Sequence, residues 1–480
     1  MDLDKVKKIH FIGIGGIGLS AIAKLMKKKG KDVSGSDLAR SLMTEKLEKM
    51  GIKISIGQSE QNIASDVDLV IYTMAAAKDN PELKKARAMN IEAISYPESL
   101  GMVFNKKFGI AVCGTHGKST TTAMAGLLLD DAGIDPTVLV GSIVPRFDSN
   151  LRVGSGKHMI IEACEYERAF LNYYPEMIIL NNIELDHTDY YKDIDDFRSA
   201  FEVFVGHLPE DGVLIANGDD IEISKIKYQI SKIRNRNIKI LNFGLDKSND
   251  VMGYDIVPGE GKTEFKVSFR GKDLGEFVLK IPGSFNVYNA LAAATLGLEL
   301  NIPVDIIKRS LSDYSGIWRR FEIKGNYHPA SAPEELWQGK GALVISDYAH
   351  HPTAVNSTIK AAREFYPGRR IFAVFQPHQH NRTKRLYNDF LNSFNSADLV
   401  ILSEIFDVAG REEKGDQNVS SLNLANDIRD QNKDLEDRVF YAKDLSETRK
   451  LIDEKIRPDD ILLVMGAGDI YKIADDLIKK

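Results

Sequence analysis

Residues 114–119, Gly-Thr-His-Gly-Lys-Ser, have the residue types of a phosphate-binding loop but form a shorter loop than the common one. In the pattern G-x-x-x-x-G-K-[ST] the first glycine would fall at position 112, which is Val112 here. Glycines let backbone N–H groups surround phosphate oxygens, while lysine and serine supply an ammonium and a metal-binding hydroxyl. The alternative is a glycine-rich turn with a solvated lysine. The predicted nucleotide-binding residues are Gly114, Thr115, His116, Gly117, Lys118, Ser119 and Thr120, with Ser119 also a magnesium ligand.

Acidic residues and a histidine follow the next two predicted strands. Glu162 and Glu165 come after the first strand, and Glu184, Asp186 and His187 come after the second. The carboxyl ends of parallel strands meet at one edge of a sheet, where ligands bind. Because magnesium prefers oxygen ligands, we predict that one of these carboxylates holds a metal ion beside the loop hydroxyl, with His187 as a further ligand. The alternatives are a loop or helix-cap role for His187, and manganese in place of magnesium.

A second glycine-rich turn lies near the N-terminus, between a predicted strand and a predicted helix. Its pattern G-x-G-x-x-G is made by Gly13, Gly15, Gly16 and Gly18, and Asp37 ends the following predicted strand. This arrangement suits a nucleotide diphosphate at the helix N-terminus and a carboxylate on a ribose hydroxyl. We predict a nucleotide-type substrate here. The alternative is that the glycines only allow the strand and helix to pack closely.

Histidines gather after two strands predicted in the last third of the chain. His350 and His351 follow one strand, and His378, His380 and Arg382 follow the other. A zinc cluster is one interpretation, but the spacing and the lack of suitable carboxylates argue against it. We predict a pocket for an anionic substrate instead. Residues 319–320, Arg-Arg, could reach a transferring phosphoryl group when domains close.

The elements that must position these residues alternate between strand and helix in both the first and the last third of the chain. This alternation predicts parallel sheets, and a β-rich stretch over 238–282 predicts a mixed sheet between them. A chain of 480 residues is too long for one hydrophobic core. Residues 326–340 have the composition of an exposed loop, and we predict an insertion there.

Composition excludes several classes of protein. The net charge of -6 argues against a nucleic-acid partner. No apolar run is long enough for a membrane span, and the N-terminal run is broken by glycines, unlike a signal peptide. Two cysteines, Cys113 and Cys164, are too few for a disulfide framework. We expect a cytoplasmic enzyme with no membrane partner.

Five features together resemble the Mur ligases, the ATP-dependent ligases of bacterial peptidoglycan synthesis. They are the short loop after a strand, Glu162 ahead of His187, and the stretches PGSFNVYNALAA, WRRFE and DYAHHPT. The resemblance covers essentially the whole chain and implies an α/β fold of three domains. These are a Rossmann-like domain for a UDP-sugar (1–107), a central P-loop ATPase with a mixed sheet (108–324), and a C-terminal Rossmann-like domain that completes the site (325–480).

The resemblance also implies roles for individual residues. Glu162 and His187 would hold magnesium together with Ser119. Lys118 would contact the ATP phosphates, Asn289 the adenine, Arg320 a phosphate and Asp347 the ribose. The residues facing the amino acid and the muramoyl group would be His350, His351 and Arg382. Three positions depart from the family pattern: Cys164 replaces an aspartate, Phe285 a histidine and Gln379 an arginine.

Within the family, the stretches EACEYERAFL, FQPHQHNRT and GAGDI are most similar to the members that join L-alanine to UDP-N-acetylmuramate. The implied reaction uses ATP and Mg²⁺ and passes through an acyl phosphate, with His350 or His351 as the base. We expect a monomer or weak homodimer. The alternatives are a ligase that attaches a murein tripeptide to the same UDP-sugar, a nicotinamide-dependent dehydrogenase and a non-catalytic nucleotide switch.

Glu202 lies on a predicted helix beyond the metal histidine. Some Mur ligases place a carbamylated lysine in this part of the chain, and residues 193–206 contain no lysine. Glu202 could supply a permanent carboxylate to a second magnesium ion. The alternative is that it lies on the solvated face of the helix.

Overall fold

The computed structural model describes residues 3–231, 238–259, 261–329, 334–337, 341–407, 419–433 and 436–479. The chain divides into two compact units. The first comprises Met1–Tyr254, Val267–Gly275 and Tyr288–Leu311, and the second comprises Asp255–Lys266, Glu276–Val287 and Ser312–Lys480. This division does not test the predicted domain boundaries after residues 107 and 324, which stay predictions.

The first sheet is parallel, with the strand order β3-β2-β1-β4-β5. Its strands are β1 (Lys8–Ile12), β2 (Asp32–Asp37), β3 (Lys53–Ile56), β4 (Leu69–Tyr72) and β5 (Glu92–Ser95). Its helices are α1 (Ile17–Lys28), α2 (Leu42–Lys49), α3 (Pro81–Ala88) and α4 (Tyr96–Phe104). The order reverses between β1 and β4, and the glycine-rich turn follows β1 at this switch point, where such sheets bind ligands. The predicted Rossmann-like arrangement is confirmed.

The second sheet is mixed, as predicted, and has the order β15-β14-β13-β12-β11-β10-β6-β9-β7-β8. Strands β12, β11, β10, β6, β9 and β7 pair in parallel, whereas β8 is antiparallel to β7. The strands are β6 (Phe108–Cys113), β7 (Thr137–Val144), β8 (Ser149–Arg152), β9 (His158–Glu162), β10 (Met177–Leu180), β11 (Val213–Asn217), β12 (Lys239–Gly244), β13 (Val251–Gly259), β14 (Lys262–Phe269) and β15 (Lys272–Leu279). The helices are α5 (Lys118–Asp131), α6 (Ile194–Val205), α7 (Ile221–Ser231), α8 (Ser284–Glu299) and α9 (Val304–Ser312).

The third sheet has the order β16-β17-β21-β18-β19-β20, with only its edge strand β16 antiparallel to its neighbour. Its strands are β16 (Glu322–Tyr327), β17 (Ala342–Asp347), β18 (Ile371–Phe375), β19 (Leu399–Ser403), β20 (Val439–Ala442) and β21 (Ile461–Met465). The helices are α10 (Glu334–Trp337), α11 (Pro352–Phe365), α12 (His380–Arg385), α13 (Tyr387–Leu391), α14 (Ser421–Gln431), α15 (Leu445–Lys455) and α16 (Tyr471–Ile478).

The apolar cores explain why the central strands are nearly continuous apolar runs. Along β18, Ile371, Ala373 and Phe375 pack into one cluster, while Phe372 and Val374 pack into another. Successive side chains of a strand point to opposite faces, so β18 is buried on both faces, as parallel strands in α/β proteins are. Among the described helices, none has both the length and the apolarity needed to cross a bilayer.

The prediction of an exposed loop over 326–340 is wrong at Tyr327 and Trp337, whereas Asn326, His328 and Glu335 are exposed as predicted. Tyr327 ends β16 and Trp337 ends α10, and their exposed fractions are only 6% and 3%. Both side chains belong to a core cluster of the third sheet. Because most residues of the stretch are polar, the sequence did not indicate that two of its aromatic residues are buried. Residues 330–333 and 338–340 lie outside the described part of the chain.

Candidate active site

The short loop leaves the buried strand β6 and ends where α5 begins at Lys118. Gly114 and Gly117 have φ angles of 128° and 79°, a region that residues with a Cβ rarely adopt. A Cβ on Gly117 would lie 2.3 Å from Asn289 Oδ1, and one on Gly114 would lie 2.9 Å from the carbonyl oxygen of Asn182. Both positions therefore need glycine, although the first glycine lies two residues closer to the lysine than in the common pattern.

Residues after β10 brace this loop. The backbone N–H of His116 donates to Asn182 Oδ1 at 2.8 Å, and Thr115 Oγ1 donates to the Glu184 carbonyl at 2.8 Å. Asn181 Nδ2 donates to Thr121 Oγ1 at 3.0 Å. Sequence analysis missed this role of the two asparagines. Their only signal was a pair of polar residues directly after an apolar strand, in a sheet whose strand ends bind ligands.

Asn289, predicted to contact adenine, lies against the loop itself. Its exposed fraction is 6%, and its Oδ1 accepts a hydrogen bond from Thr121 Oγ1 at 3.1 Å. Thr120 lies in the first turn of α5 and is 8% exposed. The first N–H groups of an α-helix have no partner within the helix, so α5 presents donors at the loop. The adenine contact stays a prediction.

Ser119 and Glu162 form a hydroxyl–carboxylate pair at the ends of β6 and β9. Ser119 Oγ donates to Glu162 Oε2 at 2.8 Å, and the backbone N–H of Gly141 donates to the same oxygen at 2.8 Å. Two oxygen donors beside a phosphate loop match the ligand preference of Mg²⁺. The structure therefore brings together two of the three predicted metal ligands.

His187, the third predicted metal ligand, contacts a different glutamate. Its Nε2 lies 3.5 Å from Glu165 Oε1, and Lys118 Nζ lies 3.0 Å from the same oxygen. Lys118 also donates to the carbonyls of Gly114 and Thr115, at 2.6 and 3.0 Å. The Lys118 side chain is only 13% exposed, which disfavours the alternative of a solvated lysine in a glycine-rich turn. Glu165 followed β9 in the sequence but was not assigned to the site.

Electrostatics keep Lys118 and Glu165 charged despite their burial. Burial alone would lower the pKa of Lys118, but the surrounding acidic groups, of which Glu165 contributes most, together outweigh it and the net pKa is raised. For Glu165, burial would raise the pKa, but Lys118 and then His187 bring it below its usual value. Among the described residues, Glu165 Oε2 is buried and has no hydrogen-bond partner. A buried oxygen of this kind fits a site built to receive a cation.

The glycines of the turn after β1 lie in close contact with other residues of the first sheet and its helices. Gly15 donates its N–H to Asp37 Oδ2 at 2.8 Å, and Gly16 is the N-cap of α1. Gly13 has a φ of 80° and lies where a Cβ would be 2.5 Å from the side chain of Thr73. A Cβ on Gly18 would lie 2.6 Å from a ring carbon of the Tyr96 phenol. Close packing thus explains part of the motif, and the predicted nucleotide contacts stay predictions.

The basic residues of the third sheet form one cluster at the ends of β17 and β18. The rings of His350 and His378 are 6.3 Å apart, and Arg382 Nη1 lies 3.4 Å from His378 Nδ1. His350 Nδ1 lies 3.0 Å from the Tyr348 carbonyl, so Nδ1 donates and Nε2 is the basic nitrogen of the neutral ring. The structure thus brings together three of the residues predicted to bind an anionic group, and the pocket itself stays a prediction.

His351 has a different role in the fold. It is the N-cap of α11, where its Nδ1 accepts from the backbone N–H of Thr353 at 3.3 Å, and it is 7% exposed. A cap of this kind satisfies a helix N–H that would otherwise lack a partner. Since Nδ1 acts as an acceptor, its protonation would break the cap. His350 is therefore the better candidate for a base.

His380 is oriented by a carboxylate that sequence analysis missed. Its Nδ1 lies 2.6 Å from Asp407 Oδ2, and its backbone N–H donates to Asp407 Oδ1 at 3.1 Å. Asp407 follows β19, whereas His380 begins α12 after β18. Nothing in the local pattern joins residues so far apart in the chain, and only the parallel pairing of β18 with β19 brings them together.

The two neighbouring arginines lie in different environments. Arg319 is 6% exposed, its guanidinium lies over the rings of Tyr348 and Tyr471 at 4.8 and 4.5 Å, and it donates to the carbonyls of Gly466 and Gly468. Burial lowers its pKa. Arg319 therefore supports the fold, and this leaves Arg320 as the candidate phosphate ligand.

Arg320 also stacks on the Tyr348 ring. Its guanidinium lies 5.0 Å from the centre of the Tyr348 ring. Asp347 accepts backbone N–H groups of Phe321 at 2.6 Å and Ala349 at 2.7 Å, so its carboxylate joins the start of β16 to the end of β17. Burial raises the pKa of Asp347, although Arg320 opposes the shift. The predicted phosphate and ribose contacts stay predictions.

Glu202 forms an ion pair on its own helix. Its Oε1 lies 3.4 Å from Arg198 Nε, and its side chain is 33% exposed. Arg198 also pairs with Glu222 Oε2 at 2.6 Å. The carboxylate of Glu202 therefore already has a cation partner between α6 and α7, which favours the surface interpretation.

These features together define a class of α/β nucleotide-binding enzymes. Its members carry a glycine-rich turn, a phosphate loop and a basic cluster, and each of the three follows the strand ends of a different sheet. Models of three domains match the chain in order: Mur ligase family, catalytic domain (8–108), Mur ligase middle domain (112–297), and Mur ligase, glutamate ligase domain (334–468). The chain belongs to the Mur ligase family.

The similarity to individual relatives extends over the full length. The chain is 40% identical over 476 residues to the UDP-N-acetylmuramate–L-alanine ligase of Persephonella marina, covering 98% of this chain and 96% of that protein. It is also 40% identical to the ligase of the same name from Clostridium kluyveri, covering 99% and 98% of the two chains. The solved UDP-N-acetylmuramate-alanine ligase of Thermotoga maritima superposes with a TM-score of 0.81 at 29% identity, covering 98% of each chain.

Proposed function

We propose that this enzyme joins L-alanine to the lactyl carboxylate of UDP-N-acetylmuramate and converts ATP to ADP and phosphate. The observation that carries the proposal is the group formed by Lys118, Ser119 and Glu162 where β6 and β9 end. It occurs in a chain that is similar over its full length to ligases named for this reaction.

The reaction has two steps. A carboxylate oxygen of the sugar nucleotide attacks the γ-phosphorus of ATP, the bond to the bridging oxygen breaks, and ADP leaves. The amine nitrogen of L-alanine then attacks the acyl carbon, phosphate leaves with the electrons of the C–O bond, and a base takes the amine proton. Since the first step brings two anions together, positive charge at the loop contributes most of the rate enhancement.

Each residue of the loop has a part in this chemistry. Lys118 binds the β- and γ-phosphates through its ammonium, while the backbone N–H groups at the start of α5 bind phosphate oxygens. Ser119, Glu162 and His187 would hold Mg²⁺ or Mn²⁺, which when bound neutralises phosphate charge. Asn289, Arg320 and Asp347 would contact adenine, phosphate and ribose. His116 shapes the loop through its bond to Asn182.

The third sheet supplies the amino-acid end. Arg382 and His378 bind the carboxylate of L-alanine, and His350 accepts the amine proton at Nε2. His351 holds the start of α11 beside it. The first sheet would bind the uridine diphosphate at Gly13–Gly18 and a ribose hydroxyl at Asp37. The enzyme works as a monomer or weak homodimer in the cytoplasm, with domain boundaries after residues 107 and 324.

The test is phosphate release from ATP with UDP-N-acetylmuramate and one amino acid at a time. L-Alanine should give the highest kcat/KM, above glycine and L-serine. A preference for the murein tripeptide would identify the tripeptide ligase instead. Formation of reduced nicotinamide cofactor would support a dehydrogenase, and no turnover with any substrate would support a nucleotide switch.

A second test addresses the metal site. Alanine at Glu162 or His187 should each raise the Mg²⁺ concentration needed for half-maximal activity. Because both would act through one ion, the double variant should lose little more than the worse single variant. Independent, multiplying losses would mean that the two residues serve separate functions.

A further inference from the structure

The carboxylate of Glu165 is the most unusual group in the phosphate-loop region. Its side chain is 1% exposed, and Oε1 contacts both Lys118 Nζ at 3.0 Å and His187 Nε2 at 3.5 Å. Its second oxygen, Oε2, is buried with no hydrogen-bond partner in the described part of the chain. Leaving a buried carboxylate oxygen unsatisfied is costly, which indicates that the oxygen has a partner in another state.

The backbone around Glu165 holds this carboxylate in place. The phenol of Tyr191 donates to the Glu165 carbonyl at 2.5 Å, and the N–H of Arg168 donates to the same oxygen at 2.9 Å. Tyr191 is itself 1% exposed and packs edge-on against Phe197. The position of Glu165 is therefore fixed by the fold and does not depend on a mobile surface side chain.

Lys118 has two kinds of partner that compete for one ammonium. It is held by Glu165 and by the carbonyls of Gly114 and Thr115. Phosphates that enter the loop must share or take this ammonium, and the negative charge of Glu165 opposes their approach. A divalent cation experiences the opposite effect, because the same charge attracts it.

We propose that Glu165 is a positioning residue. It holds Lys118 and the His187 ring in place before nucleotide binds, opposes binding of metal-free nucleotide, and favours nucleotide that arrives with a divalent cation. This inference rests on the proposed function, since it assumes that the loop binds ATP. It assigns Glu165 a role distinct from that of Glu162, whose Oε2 already accepts from Ser119 and Gly141.

The test uses Glu165→Gln in the full-length enzyme and two binding measurements without turnover. Calorimetry with ADP and a chelator should show about tenfold tighter binding than in the unmodified enzyme, because the repelling charge is gone. Electron paramagnetic resonance of free Mn²⁺ should show about tenfold weaker metal binding to the enzyme–ADP complex. These two shifts have opposite signs, and a general loss of structure would weaken both.

Two further variants keep the result interpretable. Glu165→Asp retains the charge and should not tighten binding of metal-free ADP. Glu222→Gln is a matched control, since Glu222 is 14% exposed and pairs with Arg198 and Lys225, and it should change neither affinity. Should Glu165→Gln leave ADP affinity unchanged or weaken it, while the unmodified enzyme binds ADP and ligates, the role of Glu165 is overturned and the proposed function stands. An unmodified enzyme that binds no nucleotide overturns both.

Discussion

The first and second sheets each bury a glutamate beside a histidine, and the two carboxylates differ in how many of their oxygens have partners. Below the glycine-rich turn, Glu82 Oε2 accepts from His10 at 3.0 Å and Ser36 at 2.7 Å. Its Oε1 accepts from the N–H of Ser59 at 3.2 Å and from Asn62 at 2.7 Å. Each carboxylate oxygen of Glu82 therefore accepts two hydrogen bonds, and the residue is fully buried.

Beside the phosphate loop, Glu165 has the same burial but satisfies only one oxygen. A complete network such as that of Glu82 stabilises one conformation, because any change leaves polar groups unpaired. An incomplete network costs stability, and this is a common feature of sites that bind a ligand. Burial of a glutamate–histidine pair therefore does not by itself identify a functional site, and the unsatisfied oxygen is what distinguishes Glu165 from Glu82.

The largest effect should come from breaking the incomplete network at Lys118. Lys118→Ala should lower ligation about 100-fold or more, because a phosphate-facing charge is lost. It should also reduce the free energy of unfolding by about 3–5 kcal/mol, since Glu165 becomes a buried charge without a cation. Phosphate release and urea unfolding measure the two effects.

A double variant separates these effects. Lys118→Met with Glu165→Gln removes both charges, so stability should return to near that of the unmodified enzyme while activity stays low. Activity within a few-fold of the unmodified enzyme in Lys118→Ala would exclude this loop as the ATP site.

Disrupting the complete hydrogen-bond network of Glu82 should lower the stability of the fold and leave catalysis unchanged. Glu82→Gln should reduce the free energy of unfolding by about 1–3 kcal/mol, because one or more buried donors lose their acceptor. Its kcat at 25 °C should stay within about threefold. A large fall in kcat with unchanged stability would show that the network under the glycine-rich turn takes part in the reaction.

The effect of Glu82→Gln should depend on pH in a defined direction. Burial would raise the pKa of Glu82, but hydrogen bonds from His10, Asn62 and Ser36 bring it below its ordinary value. A carboxylate with a lowered folded-state pKa stabilises the fold above its unfolded pKa and loses this contribution as the pH falls through the folded value. The stability difference between the two proteins should therefore be full at pH 7 and shrink below about pH 4.

The smallest effect should come from Glu202, whose ion pair with Arg198 is partly exposed. Glu202→Gln should change the free energy of unfolding by less than about 1 kcal/mol, as surface pairs do. Ligation should stay near normal at every Mg²⁺ concentration. A large loss that added Mg²⁺ partly restores would instead make Glu202 a ligand of a second metal ion.

Local patterns in the sequence were enough to predict the sheets and the loop. The apolar run of β6, the glycines of the loop and the start of α5 were predicted within a few residues, because propensity and steric freedom act over short distances. The same holds for β2, because Asp37 was predicted to end this strand and the observed strand is Asp32–Asp37. The aromatic residues of 326–340 were misassigned because their polar neighbours dominated the local composition.

Contacts between distant residues were decided only by the tertiary structure. Glu162 and Glu165 lie three positions apart after one strand, and from the sequence either one could be the glutamate that lies beside His187. In the structure Glu162 ends β9 and meets Ser119. Glu165 lies beyond the strand, at φ −79° and ψ −19°, and its side chain meets Lys118 and His187. Asp407 likewise meets His380 only because β18 and β19 lie side by side. The pairing of strands and the path of the chain beyond them set which charges meet, and neither is encoded in the spacing of the residues along the chain.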